Sequence, residues 1–271
     1  MRPDSHRPIG VFDSGVGGLT VLQALTRRLP SESTVYLGDT ARVPYGTKSG
    51  AVVTRYSVKN AEVLRREGVK LLVVACNTAS AVALPALRAQ LNIPVVGVIE
   101  PGAEAAVRAS EGGAIGVIGT PGTIRSGAYQ RALEALRPGV RVLARACPLF
   151  VPLAEEGWLD GDVPRLVARE YLAPFRKGEV EALVLGCTHY PLLRDVIAEE
   201  AGQAVRLVDS AEATAEAVER LLGAQGLLAP AGAQAEHRFF VTDVPERFAE
   251  VGARFLGRPI ETAEQIDITY V

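Results

Sequence analysis

Cys76 and Cys187 are the residues whose type and setting point most directly to chemistry. Each ends an apolar run, Leu72-Val73-Val74-Ala75 in one case and Leu183-Val184-Leu185-Gly186 in the other. Each is followed by a polar pair, Asn77-Thr78 and Thr188-His189. A thiol between a buried strand and a helix start stands where the carboxyl ends of parallel strands line a ligand crevice. The outward N–H groups and positive end of such a helix favour anions. The same placement is expected to lower a thiol's pKa toward the reactive thiolate, whereas an anionic Asp13 is expected to raise the pKa of a neighbouring thiol by repulsion. Two such thiols facing one small ligand form an acid–base pair. A lone strand-end cysteine would read as apolar filler, but the matching contexts argue for a shared role. Cys147, in Ala146-Cys147-Pro148, has no polar pair after it and reads as structural.

Other uses of the thiols fit less well. A redox couple would more often show a CxxC spacing. Zinc needs three or four ligands, yet His6, His189 and His237 are the only histidines and form no ligand-spaced cluster. No metal site is expected. A single nucleophilic cysteine with a histidine, as in hydrolases, leaves the second cysteine motif unexplained.

Four further motifs carry polar groups. Asp13-Ser14-Gly15-Val16-Gly17-Gly18 follows a strand but matches neither GxGxxG nor GxxxxGK[ST], which argues against nucleotides. Its glycines let backbone approach a carboxylate, with Asp13 and Ser14 beside it; the plain alternative is an Asp13 that only caps a helix. In the loop from Gly38 to Gly46, Pro44, Tyr45 and Gly46 offer a turn and a hydroxyl donor. Thr120-Pro121-Gly122-Thr123 offers Thr120 and Thr123 to ligand oxygens. Glu155 and Glu156 are expected at a helix start, either facing the site or simply solvated.

These residues need a scaffold, and the pattern supplies one. Short β-branched runs at 9–12, 34–38, 71–75, 95–99, 115–119, 140–144, 182–186, 204–208, 239–242 and 269–271 read as strands. Several are apolar throughout, as parallel strands covered on both faces are. Amphipathic stretches at 19–29, 49–67, 79–90 and 211–222 read as helices, and the alternation predicts an α/β fold with parallel sheets. Ile9 to Cys76 spans 67 positions and Ile115 to Cys187 spans 72, and the motifs echo one another, which points to a duplicated α/β unit. The expected units are residues 1–98, completed by 208–271, and residues 99–207, with a break where Ile99-Glu100-Pro101-Gly102 interrupts the pattern. Residues 223–235, rich in Gly, Ala and Pro, read as a flexible surface segment.

The chain has 271 residues, 48% hydrophobic, enough for one large domain or two small ones. A formal charge of −2 without basic blocks excludes the footprint of a nucleic-acid binder. No apolar run is long enough to span a membrane, and the polar start is unlike a signal peptide. Three cysteines is an odd, low count that suits a reducing cytoplasm.

The motifs together resemble glutamate racemases, within the aspartate/glutamate racemase superfamily. The matching stretches run in order over essentially the whole chain: Phe12 to Val21, Tyr36 to Asp39, Pro44-Tyr45-Gly46, Ala75 to Ser80, Gly97 to Pro101, Cys147 to Leu153, Leu185 to Leu192 and His237 to Asp243. The resemblance implies two pseudo-symmetric α/β domains with the site in the cleft between them. It implies Cys76 as the base toward D-glutamate, assisted by Asp13, and Cys187 as the base toward L-glutamate, assisted by His189. Asp13-Ser14, Tyr45-Gly46, Asn77-Thr78 and Thr188-His189 carry over as substrate-binding pairs, and Glu155 as an auxiliary acid. It further implies no pyridoxal phosphate and no metal, a homodimer, and D-glutamate made for peptidoglycan. An aspartate or hydantoin racemase, or a non-catalytic binder of acidic amino acids, are the alternatives. A one-cysteine decarboxylase-like member is disfavoured by the second cysteine.

Overall fold

The structure is a computed structural model describing residues 4–176 and 178–268. Apolar runs of up to five residues are too short for core helices and pair as strands. The strands are β1 (Ile9–Asp13), β2 (Thr34–Gly38), β3 (Leu71–Val74), β4 (Val95–Gly97), β5 (Ile115–Gly119), β6 (Val142–Ala146), β7 (Ala182–Gly186), β8 (Arg206–Asp209), β9 (His237–Val241) and β10 (Glu264–Gln265). Between them run α1 (Leu19–Arg28), α2 (Gly50–Arg66), α3 (Asn77–Gln90), α4 (Ile99–Ala109), α5 (Pro121–Ser126), α6 (Ala128–Leu136), α7 (Phe150–Glu155), α8 (Asp162–Leu172), α9 (Arg194–Ala201), α10 (Ser210–Ala224) and α11 (Pro245–Leu256).

The fold is α/β with two parallel sheets. One has the order β10-β9-β2-β1-β3-β4, the other β6-β5-β7-β8. The core of the first, β2-β1-β3-β4, repeats the order of the second. In both, the chain crosses one way from the first strand and then back past it, so β1/β3 and β5/β7 are topological switch points, where α/β proteins bind ligands. Ile9 pairs with Thr34 and Leu71, and Ile115 pairs with Val142 and Ala182, so the two registers correspond. β1, β3, β5 and β7 are buried at every position, which explains why they are apolar throughout rather than alternating. The tail strands β9 and β10 extend the first sheet from β2.

Several expected boundaries move. Ile99-Glu100-Pro101-Gly102 does not break the chain but opens α4. Pro101 lies in the first turn, where its missing N–H has no intrahelical partner to lose. Gly102 lets α4 cross close to Ser210 of α10 and to Tyr129, each of which would meet an added Cβ at 3.2 Å. β6 begins at Val142 rather than 140, because Val140 closes a turn onto Arg137. β8 ends at Asp209, two residues past the expected boundary at 207. The expected strand at 269–271 lies outside the described residues. Residues 225–236 are irregular but pinned: Ala229 N–H donates to Glu32, and Lys70 Nζ donates to the Leu227 carbonyl. Among the described residues, no helix is long and apolar enough to cross a membrane.

Candidate active site

The turns after β1, β3, β5 and β7 meet around one cavity of about 160 Å³. Its lining includes Ser14, Pro44, Tyr45, Gly46, Cys76, Asn77, Thr78, Thr120, Cys187, Thr188 and His189, all expected from the sequence. Both thiols therefore line the same space, each after the corresponding strand of its sheet. Thr47, Pro121, Pro148, Val151 and Pro152 complete the wall and were not expected. They flank the recognised motifs, so proximity was the available signal. Asp13, Thr123 and Glu155 stand one step behind the surface.

Close approach at the seam depends on glycine. A Cβ on Gly17 would come within 2.3 Å of Thr188 Oγ1, and one on Gly46 within 2.8 Å of Thr120 Cβ. The missing side chains let loops from the two sheets touch. Three threonine hydroxyls tie them as well: Thr78 Oγ1 lies 2.9 Å from Thr120 Oγ1 and 3.3 Å from Thr123 Oγ1, and those two are 3.1 Å apart. Thr123 is fully buried, so it holds Thr78 and Thr120 rather than facing the cavity.

On the first side, Cys76 caps α3 without a side-chain capping bond, and its Sγ lies 3.8 Å from Ser14 Oγ. The lowering expected from the helix end does not occur, whereas the rise expected from Asp13 does. Burial and the negative charge of Asp13 push it up to about 12, and the Ala79 N–H and Ser14 only partly oppose this. Desolvation outweighs the helix end. Asp13 is itself completely buried. Its Oδ2 accepts from Gly15 N–H at 2.9 Å, while Oδ1 has no hydrogen-bond partner among the described residues. Burial raises its pKa, against the positive charge of His189 and nearby backbone N–H groups.

The second side is built differently. His189 Nδ1 lies 3.8 Å from Cys187 Sγ and 3.4 Å from Thr188 Oγ1, and Nε2 lies 2.9 Å from Glu155 Oε1. Burial pulls the imidazole toward neutrality, but Cys187 and Glu155 outweigh it and raise the pKa to about 10. At neutral pH a cation thus stands between the thiol and the carboxylate. For Glu155, burial is outweighed by His189 and Arg247, so its pKa is lowered. Glu155 ends α7 rather than opening a helix, which swings its carboxylate back to His189. Glu156, one residue on, points to Arg247.

Two groups differ from expectation in what they offer. The Tyr45 hydroxyl donates to Asp39 and accepts from Asn60, so only the rest of Tyr45 faces the cavity. Asn77 Oδ1 accepts from the Tyr129 hydroxyl at 2.7 Å, leaving Nδ2 buried with no partner. Among the described residues, Asp13 Oδ1 and Asn77 Nδ2 are buried side-chain polar atoms that lack a hydrogen-bond partner. Buried polar atoms are rarely left unsatisfied without a function. No group of three or more His, Cys, Asp or Glu among the described residues is placed to hold a metal. Cys147 is buried, and burial pushes its thiol up to about 12.

Paired thiols at matched switch points, with polar donors around them, line one small cavity. A profile of the Asp/Glu/Hydantoin racemase family matches residues 9–218, and the chain belongs to that family of isomerases. Over 262 residues it is 57% identical to a glutamate racemase from Geobacter metallireducens, covering 97% of both chains. It superposes on a glutamate racemase from Bacillus anthracis with a TM-score of 0.93, at 42% identity over 97% of this chain and 98% of that one. It matches the Francisella tularensis glutamate racemase, solved in complex with D-glutamate, with a TM-score of 0.92 at 39% identity over 98% and 100%.

Proposed function

We propose that this chain interconverts L- and D-glutamate by proton transfer between Cys76 and Cys187, without a cofactor. The observation that carries the reading is the placement of both sulfurs on one small cavity, each from the corresponding turn of its sheet. The relatives' names supply the ligand. The working units are residues 1–98 with the chain that follows β8, and residues 99–207 with the end of β8, facing each other across the cavity. The product suits peptidoglycan synthesis in the cytoplasm.

In the L-to-D direction, the Cys187 thiolate takes the α-proton; an S–H bond forms and the C–H pair remains on the α-carbon, delocalised into the carboxylate. The Cys76 S–H delivers its proton to the opposite face and is left as thiolate. The reverse reaction restores both groups. The charge pattern favours this starting state: the His189 cation faces Cys187, and burial keeps Cys76 protonated. In the D-to-L direction Cys76 must start as thiolate. Asp13 then serves as proton acceptor, because moving the proton between them keeps one negative charge in the corner rather than two. Asn77 Nδ2, the Thr78 and Thr188 hydroxyls and the first N–H groups of α3 are the donors for charge growing on the carboxylate. Among the described residues, no lysine lines the cavity.

Incubation with each enantiomer of glutamate in deuterium oxide tests this. The product enantiomer should acquire α-deuterium at the rate of inversion, and aspartate should not. Labelled aspartate with unlabelled glutamate would shift the substrate within the family; no label in either would leave only an acidic amino-acid binder.

A further inference from the structure

The tail helix α11 makes three contacts with the Glu155–His189 pair. Arg254 Nη1 donates to the Glu155 carbonyl at 2.6 Å. The same guanidinium covers Gly157, which has a φ of 76° and where an added Cβ would stand 3.2 Å from Arg254 Nη1. The Phe255 ring meets the His189 ring edge to face, with centroids 5.1 Å apart at 77°. Arg247 bonds Glu156 Oε1 at 3.3 Å and its charge helps keep Glu155 ionised. Residues 247, 251, 254 and 255 follow the spacing of one helix face, and Val251 and Arg247 line a second cavity, of about 130 Å³, that also includes Glu155.

The helix is anchored on the other sheet. Phe248, Val251, Phe255 and Leu256 are buried, and α11 packs against α1 after β9 has joined β2. Its first turn follows Val244, a β-branched residue held at φ 44° and ψ 70° directly before Pro245. That conformation is strained for valine, and strain of this kind persists where surrounding structure dictates placement.

We propose that Arg254 and Phe255 are positioning residues for the second acid–base side. Arg254 fixes the backbone of Glu155, and Phe255 fixes the plane of the His189 ring, so that Nε2 meets the carboxylate while Nδ1 faces Cys187. The first sheet thereby sets the geometry of a relay attached to the second. This rests on the racemase reading for its rate consequence only.

The test follows the three histidines of isotopically labelled, ligand-free protein by NMR through a pH titration, beside racemisation rates. The groups facing His189 are Cys187, Thr188, Glu155 and Asp13, and none is altered. In Arg254→Ala and in Phe255→Leu the His189 titration should move at least one unit toward its ordinary value. The kcat should fall about 5- to 10-fold with KM within twofold, and Arg254→Lys should recover most of the loss. Arg254 is exposed, so its variants decide the matter even if Phe255→Leu does not fold. An unmoved His189 titration in Arg254→Ala overturns the proposal, whether or not the rate changes. A wild-type protein that does not racemise glutamate would instead strike at the function, and would leave the titration result standing.

Discussion

The Asp13–Cys76 corner and the Cys187–His189–Glu155 corner occupy equivalent places in two sheets of the same strand order, yet they manage charge in opposite ways. The first gathers acids. A buried carboxyl with one unpartnered oxygen stands beside a thiol that burial and that carboxyl hold protonated, up to about 12. The second alternates signs, with a histidine raised to about 10 between a thiol and a carboxylate. Topology therefore sets where a group stands, and the neighbours set which proton state it keeps. The two-base reaction proposed above starts from one charged and one neutral thiol in either direction.

Removing either sulfur breaks the comparison most completely. Cys76→Ala and Cys187→Ala should each lower racemisation at least about 10³-fold, within the range for acid–base groups, as read by circular dichroism of the product. Each should still exchange the α-hydrogen of one enantiomer, D for Cys187→Ala and L for Cys76→Ala. Full racemisation in either variant would end the two-base account.

The assisting residues sharpen it. His189→Asn and Asp13→Asn should each lower kcat/KM about 10²-fold. Because the enantiomers have equal free energies, kcat/KM must fall equally from both sides, and the difference must appear in kcat. His189→Asn should reduce kcat more with L-glutamate, Asp13→Asn more with D-glutamate. The reverse pattern in progress curves would exchange their partners.

The pH dependence tests the second corner alone. The His189 pKa is raised from 6.5 to about 10, so the linked stability is present in full below about pH 6.5 and is lost as pH rises through about 10. Glu155→Gln removes one cause of that rise. Its melting temperature should therefore depend less on pH between 6.5 and 10 than the parent's does, and a parallel pair of curves would exclude the coupling. The smallest contrast is between neighbours: Glu155→Gln should lower kcat about 10-fold, and Glu156→Gln should remain within twofold.

Much of this was legible in the residues. The runs at 34–38, 115–119 and 182–186 are strands to the residue, each buried at every position. The cavity wall was largely legible because its members sit at strand ends within short motifs. Three things were not. The size of the Cys76 shift depends first on burial of the thiol itself, a tertiary quantity. The Tyr45 hydroxyl is claimed by Asp39 and Asn60, the latter 15 positions along the chain. The contacts of Arg254 and Phe255 with residues 155 and 189 cross from one sheet to the other, and no local pattern encodes them.

The repeated strand order has one more consequence. Two copies of a fold made of L-residues can be superposed by rotation, never by reflection. The enantiomers of an amino acid are related only by reflection. A strictly repeated pair of corners would therefore meet the two hands of the ligand unequally. On the racemisation proposed above, the divergence between Asp13 and His189 is one way for a chiral scaffold to meet both hands.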